Sequence, residues 1–192
     1  MGPWARRIGR GATCWAIVLG LGGLIGVSSG AGALAGAAKG KCTKQPFVGT
    51  VARTAESGSA AGQPAASRES ADFESAVVYD FGNKKNYTVY VGDYEVDPDD
   101  LGGTLEAPDG DVLVTIFLRS ASGKALKPGT RLTPGKDPVS VIVDAGAGAR
   151  AVTSQPTGRI DVLSVDGKRL CFRIDYADDF QTVDGVVSAV IP

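Results

Sequence analysis

Carboxylate side chains are the residues of this chain whose spacing is best suited to chemistry. In the run 93–100 acidic residues recur at short intervals, and an extended backbone would place alternate ones on the same side. Clustered carboxylates are the hard oxygen ligands that calcium prefers. The candidate ligands are Asp93, Glu95, Asp97, Asp99 and Asp100. The run does not match an EF-hand loop, so a solvated acidic loop is the alternative interpretation.

A second group of carboxylates, Asp175, Asp178 and Asp179, lies near the C-terminus. Two carboxylates can hydrolyse a glycosidic bond, one of them acting as the acid. An aromatic platform for the sugar is lacking, because both tryptophans, Trp4 and Trp15, lie at the N-terminus. The absence of histidine excludes Ser-His-Asp and Cys-His catalysis and histidine-ligated zinc. We therefore expect no enzyme and assign no catalytic residue, with a glycoside hydrolase as the second alternative.

The N-terminus has the pattern of an export signal. Three arginines within the first ten residues are followed by an uncharged stretch over 11–38 that is most apolar at 16–27. Small residues follow, and 33–37 contains two overlapping Ala-x-Ala sites. A basic start, an apolar centre and a small-residue site describe a secretory signal peptide. The sequence therefore predicts a signal peptide over 1–38, cleaved near 35–38.

An uncleaved membrane anchor over 12–34 is the competing interpretation, because a spanning helix needs about 20 apolar residues. The glycines of this stretch lower its hydrophobicity and helix propensity, which favours cleavage. Both interpretations place the rest of the chain outside the cytoplasm. The expected location is therefore secreted or periplasmic, in the cell envelope, with membrane contact only if the leader stays attached.

The net charge of −1 conceals an uneven distribution of charge along the chain. Residues 1–42 carry five basic and no acidic groups, so the remaining 15 basic and 21 acidic residues give a net charge of −6. Nucleic acids and anionic membranes bind clustered Lys and Arg, so neither is an expected partner. We expect an unidentified protein or glycan ligand and no cofactor, with calcium as the alternative.

Removal of the leader would remove Cys14 and leave two cysteines, Cys42 and Cys171. Exported proteins fold in oxidising compartments, where such a pair tends to form a disulfide. The bond would attach the start of the mature chain to its last third. Two unconnected free cysteines are the alternative, and two cysteines without histidine cannot build a metal cluster.

Composition divides the chain after the leader into three parts. Residues 39–51 form a short segment in which 46–51 has the pattern of one strand. Residues 52–71 are small and polar and bury too little surface to offset their ordering entropy, which predicts a flexible linker. Residues 72–192 alternate between β-branched or aromatic runs and turn residues, which predicts one folded domain.

The domain shows strand periodicity and no helical periodicity. Strands are predicted at 76–81, 87–91, 112–118, 139–143, 160–165, 170–176 and 186–191. The run 112–118 is apolar on both faces, which predicts a central strand buried on two sides. Asp166-Gly167 predicts a type I′ hairpin turn. We expect an all-β fold, a single antiparallel β-sandwich of about eight or nine strands.

The C-terminal part, from Gly158 through Asp166-Gly167 to 183–189, resembles the closing strands of small secreted bacterial β-sandwich proteins of unknown function. In those proteins a strand after a glycine pairs with its neighbour across an Asp-Gly turn, and a Gly-x-x-x-Ala strand follows. The resemblance implies the fold and transfers no functional residue.

Together these observations predict an exported, non-enzymatic β-sandwich that acts as an envelope or extracellular binding or structural module. Its ligand would bind at loops at one end of the sandwich, where all-β folds commonly place recognition. A calcium-binding or calcium-stabilised domain is the alternative.

Overall fold

The computed structural model describes residues 41–53, 66–69, 72–101, 105–145 and 155–192. These residues fall within one structural unit, Ala37–Pro192. The predicted signal peptide and the alternative anchor lie outside the described residues. No helix in the described ranges is long and apolar enough to cross a bilayer.

The described residues form ten strands and one short 3-10 turn, Pro98–Asp100. In chain order the strands are β1 (Phe47–Arg53), β2 (Ala66–Glu69), β3 (Ser75–Asp80), β4 (Asn86–Gly92), β5 (Leu113–Arg119), β6 (Arg131–Leu132), β7 (Val139–Asp144), β8 (Thr157–Val165), β9 (Arg169–Ala177) and β10 (Gln181–Val190). The all-β fold is confirmed, and strands lie at each position where the sequence predicts one.

The strands belong to one mixed sheet that is nearly barrel-shaped, where the sequence analysis expected an antiparallel sandwich. The order is β6-β8-β9-β10-β3-β4-β5-β7, and β1, which carries β2 on its far side, also pairs with β10. One edge of β10 pairs with β9, and its other edge is divided between β1 and β3. The β10–β3 contact is parallel, at Val190 opposite Val77. This shared edge unites strands that would otherwise form two sheets.

Strand β5 lies between β4 and β7, as predicted for a central strand; its inner face is buried, and its outer face is buried at Leu113 and partly buried at Thr115 and Phe117. Its Val114, Ile116 and Leu118 belong to the main core inside the curved sheet. Its Leu113 packs on the outer face in a second cluster, whose other buried members are Val77, Tyr90, Val96 and Ala107. The segment after β4 therefore covers part of the outer face and gives the sheet a second apolar layer.

The β8–β9 hairpin forms across Asp166-Gly167, but the predicted type I′ turn is wrong. Gly167 does not have the positive φ angle that this turn type requires. Instead the Asp166 carboxylate accepts hydrogen bonds from the backbone N–H groups of Lys168 and Arg169, both at 2.8 Å. The aspartate side chain, more than the glycine, holds this turn closed.

Parts of the predicted linker over 52–71 form strands: β1 ends inside it, and β2 lies within it. β1 continues to Arg53, and β2 pairs with it so that Thr50 lies opposite Glu69. The Arg68 side chain attaches β2 to the rest of the fold through the Asp93 carboxylate, at 2.7 Å, and the Gly110 carbonyl, at 2.9 Å. A polar edge strand needs few apolar residues, which is why composition alone does not reveal it. Residues 54–65 and 70–71 lie outside the described ranges.

Two glycines allow β1 and β10 to pair closely. Gly49 lies opposite Gly185 in the register of these strands. A Cβ atom at Gly49 would overlap the carbonyl oxygen of Asp184, and the Phe47 ring lies against the open face of Gly185. The Phe47 ring also packs edge-to-face on Phe73, with 4.9 Å between centroids. The glycine pair therefore lets an aromatic side chain of β1 enter the core.

The side chain of Gln181, the first residue of β10, forms hydrogen bonds with the backbone of β7. Its side chain is 3% exposed. The amide oxygen accepts from the Val143 N–H at 2.8 Å, and the amide nitrogen donates to the Val141 carbonyl at 2.6 Å. The same nitrogen donates to Asp178 at 3.0 Å. The edge of β7 that faces away from β5 is thereby satisfied by a side chain instead of a strand.

We expect Gln181→Leu to lower the free energy of unfolding by about 2–4 kcal/mol, because it leaves a buried N–H and a buried carbonyl without partners. Urea denaturation followed by circular dichroism measures the loss. Gln155→Leu, at an exposed position, is the matched control and should change stability by less than about 0.5 kcal/mol. Equal stability of the two variants would contradict this role of Gln181.

Candidate functional site

Asp93, the first residue of the acidic run, forms hydrogen bonds that connect parts of the fold. Its carboxylate accepts from the Arg68 guanidinium and from the backbone N–H of Val112, both at 2.7 Å. The side chain is 8% exposed, so the ion pair lies largely out of solvent. Asp93 therefore joins β2 to the segment before β5 and already has its charge neutralised.

The other four acidic residues of the run, Glu95, Asp97, Asp99 and Asp100, are exposed. Asp97 caps the 3-10 turn, since its carboxylate accepts from the Asp99 N–H at 2.9 Å. In the described ranges, no three carboxylates or thiols come close enough together to hold a metal ion. Calcium binding at this run stays a prediction, and the local contacts found here are those of a capped surface turn.

Asp175 and Asp178, in the C-terminal acidic group, have different surroundings and contacts. Asp178 closes the turn between β9 and β10, accepting from the N–H groups of Phe180 and Gln181 and from the Gln181 amide. Asp175 is exposed on β9, where it lies opposite Asp184 of β10. Asp178 thus has a structural function, and none of its contacts resembles the preparation of a general acid.

Three depressions in the surface of the described residues have volumes of about 470–510 Å³. The predicted disulfide between Cys42 and Cys171 is present in the structure. Two of the depressions are neighbours beside it and share Lys44, Arg169 and Ser188. Two of these shared residues contact each other, because Arg169 donates to the Ser188 hydroxyl at 3.1 Å. The third, called the loop-end cavity here, has lining residues that include Asp80, Lys84, Tyr87, Leu126, Lys127 and Ile191.

The loop-end cavity lies where separate chain segments meet at one end of the sheet. The β3–β4 loop supplies Lys84, the β8–β9 turn supplies Asp166, and the residue after β10 supplies Ile191. Backbone hydrogen bonds join these segments: the Leu126 N–H donates to the Lys84 carbonyl at 3.1 Å, and the Ile191 N–H to the Lys168 carbonyl at 2.9 Å. The acidic run follows β4 and so lies at the opposite end of the β3–β4 hairpin.

Lys84 has a backbone conformation that is unusual for its residue type. Its φ angle is 54°, and no other non-glycine residue in the described ranges has a positive φ. The loop is held in this form by side chains: Asp80 accepts from the Gly82 and Lys84 N–H groups, and Asn83 accepts from Lys85 and Asn86. A left-handed non-glycine residue costs about 1–2 kcal/mol, and such residues cluster at functional sites.

Tyr87 lies at the floor of the cavity. The residue is 1% exposed, yet its hydroxyl forms no hydrogen bond with any described residue. Burial raises the pKa of the Tyr87 hydroxyl above its ordinary value, and the negative charge of Asp80 raises it further. The hydroxyl therefore stays protonated at neutral pH and keeps a free hydrogen-bond donor at the cavity wall.

Local sequence patterns do not reveal the loop-end cavity. Lys127 stands in a Lys-Pro-Gly turn, and Tyr87 in a strand has the pattern of framework, so neither suggests a ligand. The one available signal was the lysine pair Lys84-Lys85 within a short predicted hairpin loop. A lysine pair in one loop does not indicate that three distant segments of the chain meet at one cavity.

We expect calcium to leave the melting temperature unchanged, because Asp93 is neutralised by Arg68 and the other carboxylates remain dispersed. Thermal melts in about 10 mM calcium and in excess chelator provide the comparison. A site with a Kd of about 1 mM, typical of extracellular calcium modules, would raise Tm by about 3 °C or more. Such a rise would establish the calcium-binding alternative.

We expect alkaline pH to destabilise the fold in part through Tyr87. Because its pKa is raised in the folded state, the stabilisation is fully present below the unfolded value of about 10 and falls as pH rises through the folded value. Tyr87→Phe cannot lose this proton, so its free energy of unfolding should decline less steeply between about pH 9 and pH 11.5. Equal slopes for the variant and the original protein would refute the assignment, and melts near pH 7 control for packing changes.

No protein-family model matches the chain, and neither a curated protein nor a solved structure does. Statements about its function therefore depend on its own residues and their geometry.

Proposed function

We propose that the protein is exported and acts outside the cytoplasm, in the envelope or surroundings of a bacterial cell, as a non-enzymatic binding or structural module. The disulfide between Cys42 and Cys171 is the observation that carries this proposal. Its ligand is an extracytoplasmic molecule, and the loop-end cavity offers the place for it.

The disulfide joins the segment before β1 to the buried strand β9, across 129 positions of sequence and with 5.9 Å between the Cα atoms. Disulfides persist in oxidising compartments and are rare where glutathione and thioredoxin keep thiols reduced. The bond is therefore compatible with an oxidising location. The basic, apolar and small-residue leader at 1–38 supplies the route to such a location.

A binding role, as opposed to a catalytic one, is supported by what the polar side chains already do. Asp93 and Asp178, which the sequence offers as candidate ligands or acids, are used to hold turns and strands. The loop-end cavity combines an apolar floor with unmatched polar groups from several loops, the usual composition of a ligand site.

Export and disulfide formation are tested together by counting free thiols in the protein produced from the full chain in a bacterium. Cys14 lies within the leader, so denatured, unreduced protein should show no free thiol if the leader is removed and the other cysteines pair. N-terminal sequencing should place the first residue near 36–39. A single free thiol would identify an uncleaved anchor, and three would overturn both export and pairing.

We expect Cys42→Ser to lower the free energy of unfolding by about 3–5 kcal/mol, since the bond closes a loop of more than 100 residues. Cys42 is exposed, so the substitution itself opens no cavity in the core. Urea denaturation measures the change. The original protein in reductant is the matched control and should lose a similar amount, whereas an unchanged midpoint in both would contradict a stabilising disulfide.

A further inference from the structure

We propose that the Cys42–Cys171 disulfide is a site of thiol–disulfide exchange, at which a low-molecular-weight thiol attacks Sγ of Cys42 and displaces Cys171. The inference goes beyond the proposed binding or structural role, because it assigns a reaction to the bond itself. The protein is a reactant in this step and not a catalyst. The unequal exposure of the two cysteines, the polar depression beside them and the hydroxyl groups around Cys171 carry the inference.

The two cysteines differ in their access to solvent. Cys42 is exposed, whereas Cys171 is 1% exposed. An attacking thiolate must reach the sulfur atom to which it forms the new bond, so exposure directs the attack to Cys42. Exposed disulfides are generally more labile than protected ones. The leaving group is therefore the sulfur of Cys171.

The surroundings of the bond are polar although Cys171 is buried. Its neighbours in β9, Leu170 and Phe172, belong to the main core, so alternation places Cys171 on the outer face of the sheet. The depression on this face has a volume of about 510 Å³ and is lined by both cysteines. Its other lining residues are all polar or charged: Thr43, Lys44, Ser164, Asp166, Arg169 and Ser188. A thiol can therefore approach the bond through open space.

Hydroxyl groups lie on both sides of Cys171. In the register of the sheet, Ser164 of β8 and Ser188 of β10 lie directly opposite it. The Ser164 hydroxyl lies 3.3 Å from Sγ of Cys42 and is the donor, because a disulfide sulfur carries no proton. When the bond breaks, the two serine hydroxyls can donate to the negative sulfur of Cys171. Stabilising the departing sulfur in this way accelerates exchange.

The exchange balances without an added oxidant. The thiolate forms a bond to Sγ of Cys42, the Cys42–Cys171 bond breaks, and its electron pair leaves with Sγ of Cys171. The products are a mixed disulfide at Cys42 and a thiolate at Cys171, which can take a proton from solvent. Attack by Cys171 on the mixed disulfide expels the thiol and restores the original bond. A dithiol instead displaces Cys42 with its second sulfur, so that two protein thiols form as the dithiol becomes a disulfide.

The segment 41–45 depends on this bond for its attachment. All of its residues are exposed. Within the described ranges its hydrogen bonds are the contact of Cys42 with Ser164 and one internal bond, from Thr43 to the Gln45 carbonyl. The next residue, Pro46, accepts from the backbone N–H of β10 at 2.9 Å. Exchange therefore frees this segment and uncovers Cys171, while β1 stays paired.

The rate of reduction by dithiothreitol tests the proposal on protein from the full chain. Acid quenching and mass spectrometry give the rate constant for the folded protein and for the protein unfolded in concentrated urea. We expect the folded rate to lie within about tenfold of the unfolded rate, because an exposed bond reacts without unfolding. Circular dichroism should retain the strand signal after reduction, since the released segment lies outside the strands.

Glutathione, a monothiol, identifies the sulfur that is attacked. After incubation with excess glutathione and acid quenching, peptide mass spectrometry should find the adduct at Cys42, with at least about tenfold less at Cys171. The protein unfolded in urea is the control. Both sulfurs are accessible there, so the adduct should divide about equally between them.

Variants then test the role of the surrounding hydroxyls. Ser164→Ala should slow reduction of the folded protein about three- to tenfold, because the departing sulfur loses a hydrogen-bond donor. Its rate in urea should equal that of the original protein. Ser140→Ala is the matched control, since this serine is exposed on β7 and does not line the depression. It should leave both rates unchanged.

The proposal is overturned if the folded protein is reduced more than about tenfold more slowly than the unfolded one, or if reduction abolishes the strand signal. It is equally overturned if glutathione attaches mainly to Cys171, or if Ser164→Ala reacts as fast as Ser140→Ala. Each of these results leaves the thiol count and the N-terminus of the exported protein unaffected. Failure of the exchange is therefore distinguishable from failure of the proposed export and disulfide pairing.

Discussion

The sheet is continuous because one strand, β10, shares one of its two edges between two partners. Along most of this edge β10 pairs with β1, and at Val190 it pairs with β3 instead. The backbones of β1 and β10 approach each other closely, which the Gly49–Gly185 pair allows. Among the described residues no strand pairs with the outer edge of β7, where the Gln181 amide accepts from Val143 and donates to Val141. The shared edge of β10 thus keeps the curved sheet continuous around the main core.

The two ends of the curved sheet are built differently. At the end that carries the acidic run, Arg68, Asp93 and the segment after β4 cover the sheet with paired charges and a second apolar cluster. At the other end, hairpin loops meet around a cavity whose lysines and tyrosine hydroxyl have no partners in the described residues. Both ends therefore carry charged side chains without an ion-pair partner in the described residues, Glu95 and Asp99 at one end and Lys84 and Lys127 at the other.

Much of the fold is predictable from the sequence because strand periodicity is a local property. The hairpin of β3 and β4 follows from two short strand-like runs joined by turn residues, and the central position of β5 follows from a run that is apolar on both faces. The sharing of β10 joins residues more than about 100 positions apart, and the Gln181 contact joins residues about 40 positions apart. No local pattern records either contact. The Cys42–Cys171 pair was predictable only because removal of a leader leaves two cysteines.

The candidate site was less accessible to sequence analysis than the fold. Acidic side chains such as Asp93 and Asp178 have the same composition whether they bind a ligand or cap a turn, and only their hydrogen bonds separate the two. The cavity depends on Lys84, Lys127 and Ile191 meeting from distant parts of the chain. Such convergence is a property of tertiary structure.

The pairing of β1 with β10 and the bond from Cys42 to Cys171 join the beginning of the described chain to its end. A polypeptide that emerges N-terminus first cannot complete its core until the last strand is available. Phe47 and its neighbours must therefore remain exposed while more than a hundred further residues are delivered. High contact order of this kind slows folding and leaves apolar strands exposed to aggregation until the last strand pairs.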